Sequence, residues 1–351
     1  MKRQATIGGI LPVLKKRGPT SHDVVDMARH ALRERQIGHT GTLDPAAEGL
    51  LVLCLGPYTK LVPYLIDSDK SYCGHFALGV ETTTDDSEGE PTMFADAREA
   101  TLERLRAAAA RFTGEIEQMP PRYAAIKVAG KKLYEYAREN QEVRVEARQV
   151  TVHSLELVDC EPMQAPPEMV ARATAGAFAG AAREHAGHLV KVGFRTRVTS
   201  GTYVRALARD LGRAMGCGGY LLDLVRDGVG QFTTDTAMSL DLLEKEPLRV
   251  HEYLVRGAAT LDSRRYPIVT IMRAYVRRLM NGQPLNEKMM ENSASAAAVP
   301  SGAVCAIAGE EGGLLAMAEA ERFDAMRKAN PYDSRFDVHF KPLRIFPRGL
   351  A

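Results

Sequence analysis

Gly38-His39-Thr40-Gly41-Thr42-Leu43-Asp44-Pro45, running on into the apolar segment Gly49-Leu50-Leu51-Val52-Leu53-Cys54-Leu55-Gly56, is the stretch around which the chain is organised. Glycines at 38 and 41 allow backbone conformations and close approaches that a side chain would block. Pro45 fixes its own φ and keeps Asp44 out of the helical region, so the carboxylate is presented at a defined angle. By composition alone the segment is a turn, since Gly, Thr, Asp and Pro are ordinary turn formers. What distinguishes it is density: His39, Thr40, Thr42 and Asp44 put four polar side chains on one short loop directly before a buried strand. Loops fixed by a rigid scaffold are where chemistry usually sits.

Around that stretch, 351 residues suffice for a full core and two domains, one large and one small. The formal net charge is only +2, so no global basic field announces a nucleic-acid partner. Charge is uneven locally. Met1 to Gly38 holds eight Lys and Arg against three acids, and Ser263 to Asn286 holds Arg264, Arg265, Arg273, Arg277 and Arg278 with no acid at all. Two such runs in a nearly neutral protein imply a partner that is anionic locally. Cys54, Cys73, Cys160, Cys217 and Cys305 are scattered without C-x-x-C spacing, which indicates neither a disulfide framework nor a zinc site. No apolar run reaches the length of a membrane span, and Pro12, Lys15 and Lys16 interrupt any leader, so a soluble cytoplasmic protein is expected.

Along the chain, Val24, Val25, Ala28 and Leu32 have helical spacing over Thr20 to Gln36, with Thr20 and Ser21 as N-cap candidates. After the strand through Leu50 to Leu55, Tyr72, Phe76, Leu78 and Val80 fall on one face of a second strand. Thr101 caps a helix carrying Leu102, Leu105, Ala109 and Phe112, with Gly114 as its stop. From Gln118 to Tyr134, basic residues alternate with tyrosines after Pro120-Pro121. That mixture suits an RNA backbone and stacked bases, or else a plain strand with a cationic face. The alanine-rich 163–187 stretch reads as a mobile surface insertion or a helical excursion, with no chemistry assigned. Val190, Val192, Phe194, Thr196 and Val198 alternate with polar residues as a strand, and Ser200-Gly201-Thr202-Tyr203-Val204-Arg205 opens a helix closed by Gly216. Arg205 in a first helical turn opposes the macrodipole, and a partner carboxylate would explain it. Beyond about Glu244, an arginine-rich helix Arg273–Met280 and short β-like runs at 302–308, 314–318 and 342–346 describe a small β-rich appendage.

These residues resemble one family, the bacterial TruB-type tRNA pseudouridine-55 synthases. The resemblance rests on Gly18-Pro19-Thr20-Ser21-His22-Asp23-Val24-Val25, the Gly38 to Pro45 block and Lys70-Ser71-Tyr72. It continues through Leu78-Gly79 with Thr82, Thr84, Asp86 and Gly89, then Pro120-Pro121 through Ala125-Ile126-Lys127, and finally Gly201-Thr202-Tyr203-Val204-Arg205. Six ordered blocks are far more specific than any one. There are departures: Leu14-Lys15-Lys16 stands where the family has Asp-Lys-Pro, Thr83 where an acid is common, Ala124 where serine is common, Val198-Thr199 where Cys-Ser is common, and Leu224-Val225-Arg226 where Leu-Arg-Arg is usual.

The resemblance implies an α+β fold, with a large mixed, mostly antiparallel pseudouridine-synthase sheet, flanking helices and a small C-terminal β-rich, PUA-like domain. It places the catalytic domain at 1–244, with 163–187 as an insertion, and the RNA-binding domain at 245–351. Asp44 matches the nucleophile and Arg205 the arginine that pairs with it and favours its ionised form. Tyr72 matches the tyrosine that stacks on the flipped base. His39, Lys70, Lys127 and Leu224 match RNA-contacting positions. The implied partner is the T-arm stem-loop of tRNA, bound by a monomer that needs no protein partner, cofactor or metal. Two other readings are a non-catalytic tRNA-binding or tRNA-folding protein and a guide-RNA-dependent relative of the dyskerin type.

Overall fold

The structure is a computed structural model that describes residues 7–322 and 338–350, apart from 125, 129, 140, 142, 175 and 176. For 127, 132, 134, 137, 138, 174, 347 and 348 it describes the backbone alone. Its centre is a ten-stranded sheet. Eight strands run in the order Met238–Ser239, Gly9–Lys15, Glu48–Leu55, Gly219–Val229, Lys70–Leu78, Leu189–Val198, Arg148–Met163 and Gly114–Gln118. Ile37–His39 and Phe232–Thr233 pair off that path. Two pairings are parallel and the rest antiparallel, so the sheet is mixed and mostly antiparallel.

The alternation in the sequence explains how the sheet is covered. Tyr72, Phe76, Leu78, Phe194, Val198 and Leu221 share one apolar cluster with the helices Leu102–Ala109 and Val204–Ala214. Phe76 and Phe194 stack with centroids 4.0 Å apart. The Glu48–Leu55 strand is buried on both faces, which is why it reads as a continuous apolar run. Leu51, Leu53 and Leu55 pack under the helix Ser21–Leu32, whereas Leu50, Val52 and Cys54 share a core with Leu261, Ala306, Leu314, Met317 and Phe346. Those last residues belong to the small C-terminal domain. Its five-stranded sheet has the order Ile268–Thr270, Val304–Ala308, Leu314–Arg322, Val338–Leu350, Leu285–Asn286.

Several local expectations change. Thr20 does cap the first helix, in a full capping box with Asp23, but the helix ends at Leu32 rather than Gln36. Val80 does not share a strand or a face with Tyr72. Gly79, at φ +103°, breaks the run, and Val80 opens a separate hairpin, Val80–Thr82 with Pro91–Phe94, in another cluster. The stretch after Gln118 is not one cationic strand; it is a turn, a minimal hairpin of Lys127–Val128 with Lys131–Lys132, and the helix Leu133–Arg138. Of the two readings of 163–187, the helical one is observed, as Pro167–Thr174 and Ala179–His185. Met169, Ala173 and Ala182 are buried against Ala77, Val80, Phe94 and Tyr220. The arginine-rich 273–280 segment is a 3₁₀ turn followed by the five-residue helix Val276–Met280. The last strand runs from Val338 to Leu350, well beyond the expected short run.

Candidate active site

The loop before Glu48 is held from three directions. Lys15, on the first strand and 2 % exposed, donates from Nζ to the carbonyls of Ala47 at 2.6 Å and Pro45 at 3.1 Å. Pro45 O also accepts from the Gly18 N–H at 2.9 Å. Ser21 Oγ accepts from the Leu43 N–H at 2.8 Å and donates to Leu43 O at 3.0 Å. From the other side comes Arg226, 1 % exposed, whose Nε donates to Leu50 O at 2.8 Å and whose terminal nitrogens reach Gly41 O at 3.1 Å and Thr42 O at 3.4 Å. Gly49 lets this strand approach: its φ is +100°, and a Cβ there would meet Arg226 O at 2.2 Å.

Burial pulls the Lys15 ammonium below the usual lysine range, while Asp44 and Glu48 oppose that shift. The amine is a structural donor to the carbonyls of Pro45 and Ala47. Lys15→Met leaves Ala47 O without this donor and should lower stability by about 1–3 kcal/mol, read from the urea midpoint. A Lys15→Met midpoint equal to wild type would show that the loop is held without it.

Arg205 is the hub of the site. Its Nε lies 3.2 Å from Asp44 Oδ2 and its Nη1 lies 3.3 Å from Asp86 Oδ2, so the cation at the helix start has two carboxylate partners. Nη1 also donates to Thr84 O at 3.1 Å and Nη2 to Tyr123 O at 3.1 Å. The side chain of Arg205 is 9 % exposed and that of Asp86 12 %, against 47 % for Asp44, so the pair is open on the aspartate side only. Asp86 is itself fixed, accepting from the Glu88 N–H at 3.0 Å and from Thr84 Oγ1. One turn on, Arg209 bonds Asp85 at 2.8 Å, Asp210 at 2.8 Å and Met119 O at 3.0 Å. Burial pushes the Asp85 carboxyl up despite Arg209 and Arg205.

These groups surround a cavity of about 590 Å³ whose wall includes Asp44, Lys70, Tyr72, Tyr203, Arg205 and Leu224. The three residues matched to catalysis thus stand in one wall, although more than a hundred and fifty positions separate Asp44 from Arg205. Lys70 and Leu224 stand with them. His39 is not among the side chains of the wall; its Nδ1 accepts from the Gly41 N–H at 3.3 Å, and burial, with Arg226 nearby, holds the imidazole below the usual histidine range. The Lys127 side chain lies outside the described residues. Arg226, Asp86 and Tyr203 complete the wall, and Lys15 supports the loop behind it. Asp86, Tyr203 and Arg226 stand in or beside the quoted blocks without an assigned role, and Lys15 and Arg226 are hard to single out because a buried cation held by carbonyls looks like any surface lysine or arginine in one dimension. Among the described residues no cluster of three or more His, Cys, Asp or Glu could hold a metal ion, and no helix is long and apolar enough to cross a membrane.

Lys70 is 7 % exposed, its Nζ donating to Ile66 O at 2.6 Å and Ser68 O at 2.8 Å. Burial, helped by Arg226, lowers its pKa to about 8 from an ordinary 10.5. The unfolded chain keeps that proton to higher pH than the folded one, so the unfolded state binds more protons between the two values and stability rises with pH there. Relative to Lys70→Met, wild type should gain about 1–3 kcal/mol between about pH 8 and pH 10.5 in urea unfolding. Parallel curves for the two proteins would contradict the shift.

The comparisons with known proteins agree with this architecture. The H/ACA ribonucleoprotein structure bound to a substrate RNA containing 2′-deoxyuridine superposes with a TM-score of 0.64 at 21 % identity, covering 96 % of this chain and 84 % of that one. An archaeal box H/ACA small ribonucleoprotein complex gives 0.63 at 21 %, covering 97 % and 86 %. At that identity the likeness establishes the fold. A model described as TruB family pseudouridylate synthase, N-terminal domain, matches residues 29–177. A tRNA pseudouridine synthase B of Cupriavidus metallidurans is 38 % identical over 318 residues, covering 89 % of this chain and 90 % of its own. One of Burkholderia mallei is 39 % identical over 306 residues, covering 87 % and 90 %. The protein is therefore an enzyme of the pseudouridine synthase class, an isomerase. Within that class the chain belongs to the TruB family.

Proposed function

We propose that the chain converts one uridine of the T arm of tRNA, position 55, to pseudouridine, with Asp44 as nucleophile. The observation that carries this reading is the Asp44–Arg205 pair, a half-exposed carboxylate facing a cavity of about 590 Å³ with a buried guanidinium 3.2 Å behind it. The uridine flips out of the loop into the cavity, and Tyr72 stacks on it, a contact worth about 1–3 kcal/mol. Attack by the Asp44 carboxylate accompanies cleavage of the N1–C1′ bond. The freed base turns, C5 bonds to C1′ as the Asp44 carboxylate leaves it, the C5 proton is lost, and N1 takes up a proton. The product is an isomer, so the sequence of steps consumes no co-reactant.

In this reading Lys70 and Leu224 shape the pocket, and His39 and Lys127 meet the RNA around it. Residues 1–244 do the chemistry, and 245–351 with its acid-free arginine segment lie along the tRNA backbone, so affinity falls as salt rises. The chain acts as a monomer without guide RNA. Incubating a T-arm stem-loop with the purified chain alone, then mapping pseudouridine, tests this. Product at the single expected uridine supports the proposal. RNA bound but unmodified would favour a binding or folding protein, and product only after adding a guide RNA would favour a dyskerin-type enzyme.

A further inference from the structure

Gln118 ends the edge strand Gly114–Gln118 and is 2 % exposed. A buried primary amide is costly unless its oxygen and its NH₂ group both find partners. Here both go to one residue. Nε2 donates to Tyr203 O at 3.1 Å, and Oε1 accepts from the Tyr203 N–H at 2.7 Å. Tyr203 is extended (φ −101°, ψ 110°) and is the N-cap of the helix Val204–Ala214, where its own side chain makes no cap bond. The Gln118 amide therefore acts as a one-residue strand partner, closing a ring of two hydrogen bonds on the helix entrance.

The clamp matters because of the groups it anchors. Tyr203 is in the cavity wall, and Arg205, two residues on, pairs with Asp44. The helix also reaches back to the segment that Gln118 begins: Arg209 donates to Met119 O at 3.0 Å and Arg205 to Tyr123 O at 3.1 Å. Strand end and helix start are thus locked as one unit, with the guanidinium inside the lock. A displacement of about 1 Å at a reacting pair can cost on the order of a hundredfold in rate.

We propose that Gln118 is a positioning residue for pseudouridine formation, setting Tyr203 and Arg205 through the Tyr203 main chain and touching no substrate itself. The inference rests on the proposed role of the Asp44 cavity. Gln118→Glu keeps the acceptor for the Tyr203 N–H but turns a carboxylate oxygen toward Tyr203 O. Protonating that carboxyl restores a donor, so this variant regains activity as pH falls, on a profile wild type does not share. Gln118→Met removes both bonds at similar volume.

The test measures single-turnover pseudouridine formation, stem-loop affinity and melting temperature for all three proteins, at temperatures where each is folded. We expect a rate at least about tenfold below wild type for both variants near neutral pH, with affinity within about threefold, and acid recovery only for Gln118→Glu. A Gln118→Met rate within about twofold of wild type overturns the proposal, as does a loss that appears equally in affinity. If Gln118→Glu does not fold, Gln118→Met decides alone by the same criteria. If wild type makes no product, the substrate reading fails first, and this inference falls with it.

Discussion

Asp44→Asn should abolish turnover, lowering single-turnover pseudouridine formation by roughly 10⁴-fold or more while T-arm affinity stays within a few-fold of wild type. The substitution replaces one carboxylate oxygen by an NH₂ group and leaves the loop alone. Lys15, Ser21 and Arg226 hold main-chain atoms of this loop, none of them the Asp44 carboxylate. The side chain is half exposed, so its change costs little in folding. What disappears is the nucleophile, and an amide next to Arg205 cannot replace it. The separation of rate from affinity is the discriminating feature. Equal product from both proteins would remove Asp44 from the mechanism, and a parallel loss of affinity would assign it to binding instead.

Arg205→Met should damage both fold and rate. The guanidinium sits between Asp86, 12 % exposed, and Asp44, and it satisfies the carbonyls of Thr84 and Tyr123. Removing one member of a buried pair leaves an uncompensated charge, and the expected loss is about 3–5 kcal/mol, assigned to the Asp86 side rather than the open Asp44 side. Rate should fall at least about a hundredfold under conditions where the variant is folded. Arg205→Lys restores the charge but not the fork that spans four acceptors, so it should recover more stability than rate. Urea midpoints set beside single-turnover rates check both halves. A lysine variant as fast as wild type would reduce the arginine to a point charge.

Much of this site is legible in one dimension because it depends on local pattern. The glycine and proline placement around Asp44, the Thr20 cap and the alternation of 190–198 are all local signals, and the structure shows the corresponding loop, helix and strand. Arg205 is marked out by its conflict with the helix dipole, and two carboxylates resolve that conflict. The illegible part depends on long-range contact. Lys15 and Arg226 are buried cations whose partners are carbonyls far away or across the sheet, and no spacing rule marks a carbonyl. Periodicity misplaces Val80 because period two continues through a glycine whether or not the chain turns there, and only the φ of Gly79 says that it does. The alanine-rich 163–187 stretch is ambiguous in sequence because alanine suits a helix with or without a surface to pack on. Here the surface is Ala77, Val80, Phe94 and Tyr220.

The two-sided burial of Glu48–Leu55 sets a timetable for the chain as it is made. Leu51 and Leu53 can pack under the Ser21–Leu32 helix as soon as both have emerged. Leu50, Val52 and Cys54 meet Ile10, Tyr58, Leu61 and Leu65 early, but the rest of their cover, Leu261 and then Met317, comes some two hundred residues or more later in the sequence. At about 5–20 residues per second that is roughly ten seconds or more in which one face of the strand behind the Asp44 loop is only partly covered. Through that interval the nascent chain offers an apolar surface of the kind chaperones bind, and the loop gains its full backing only once the C-terminal sheet has been synthesised.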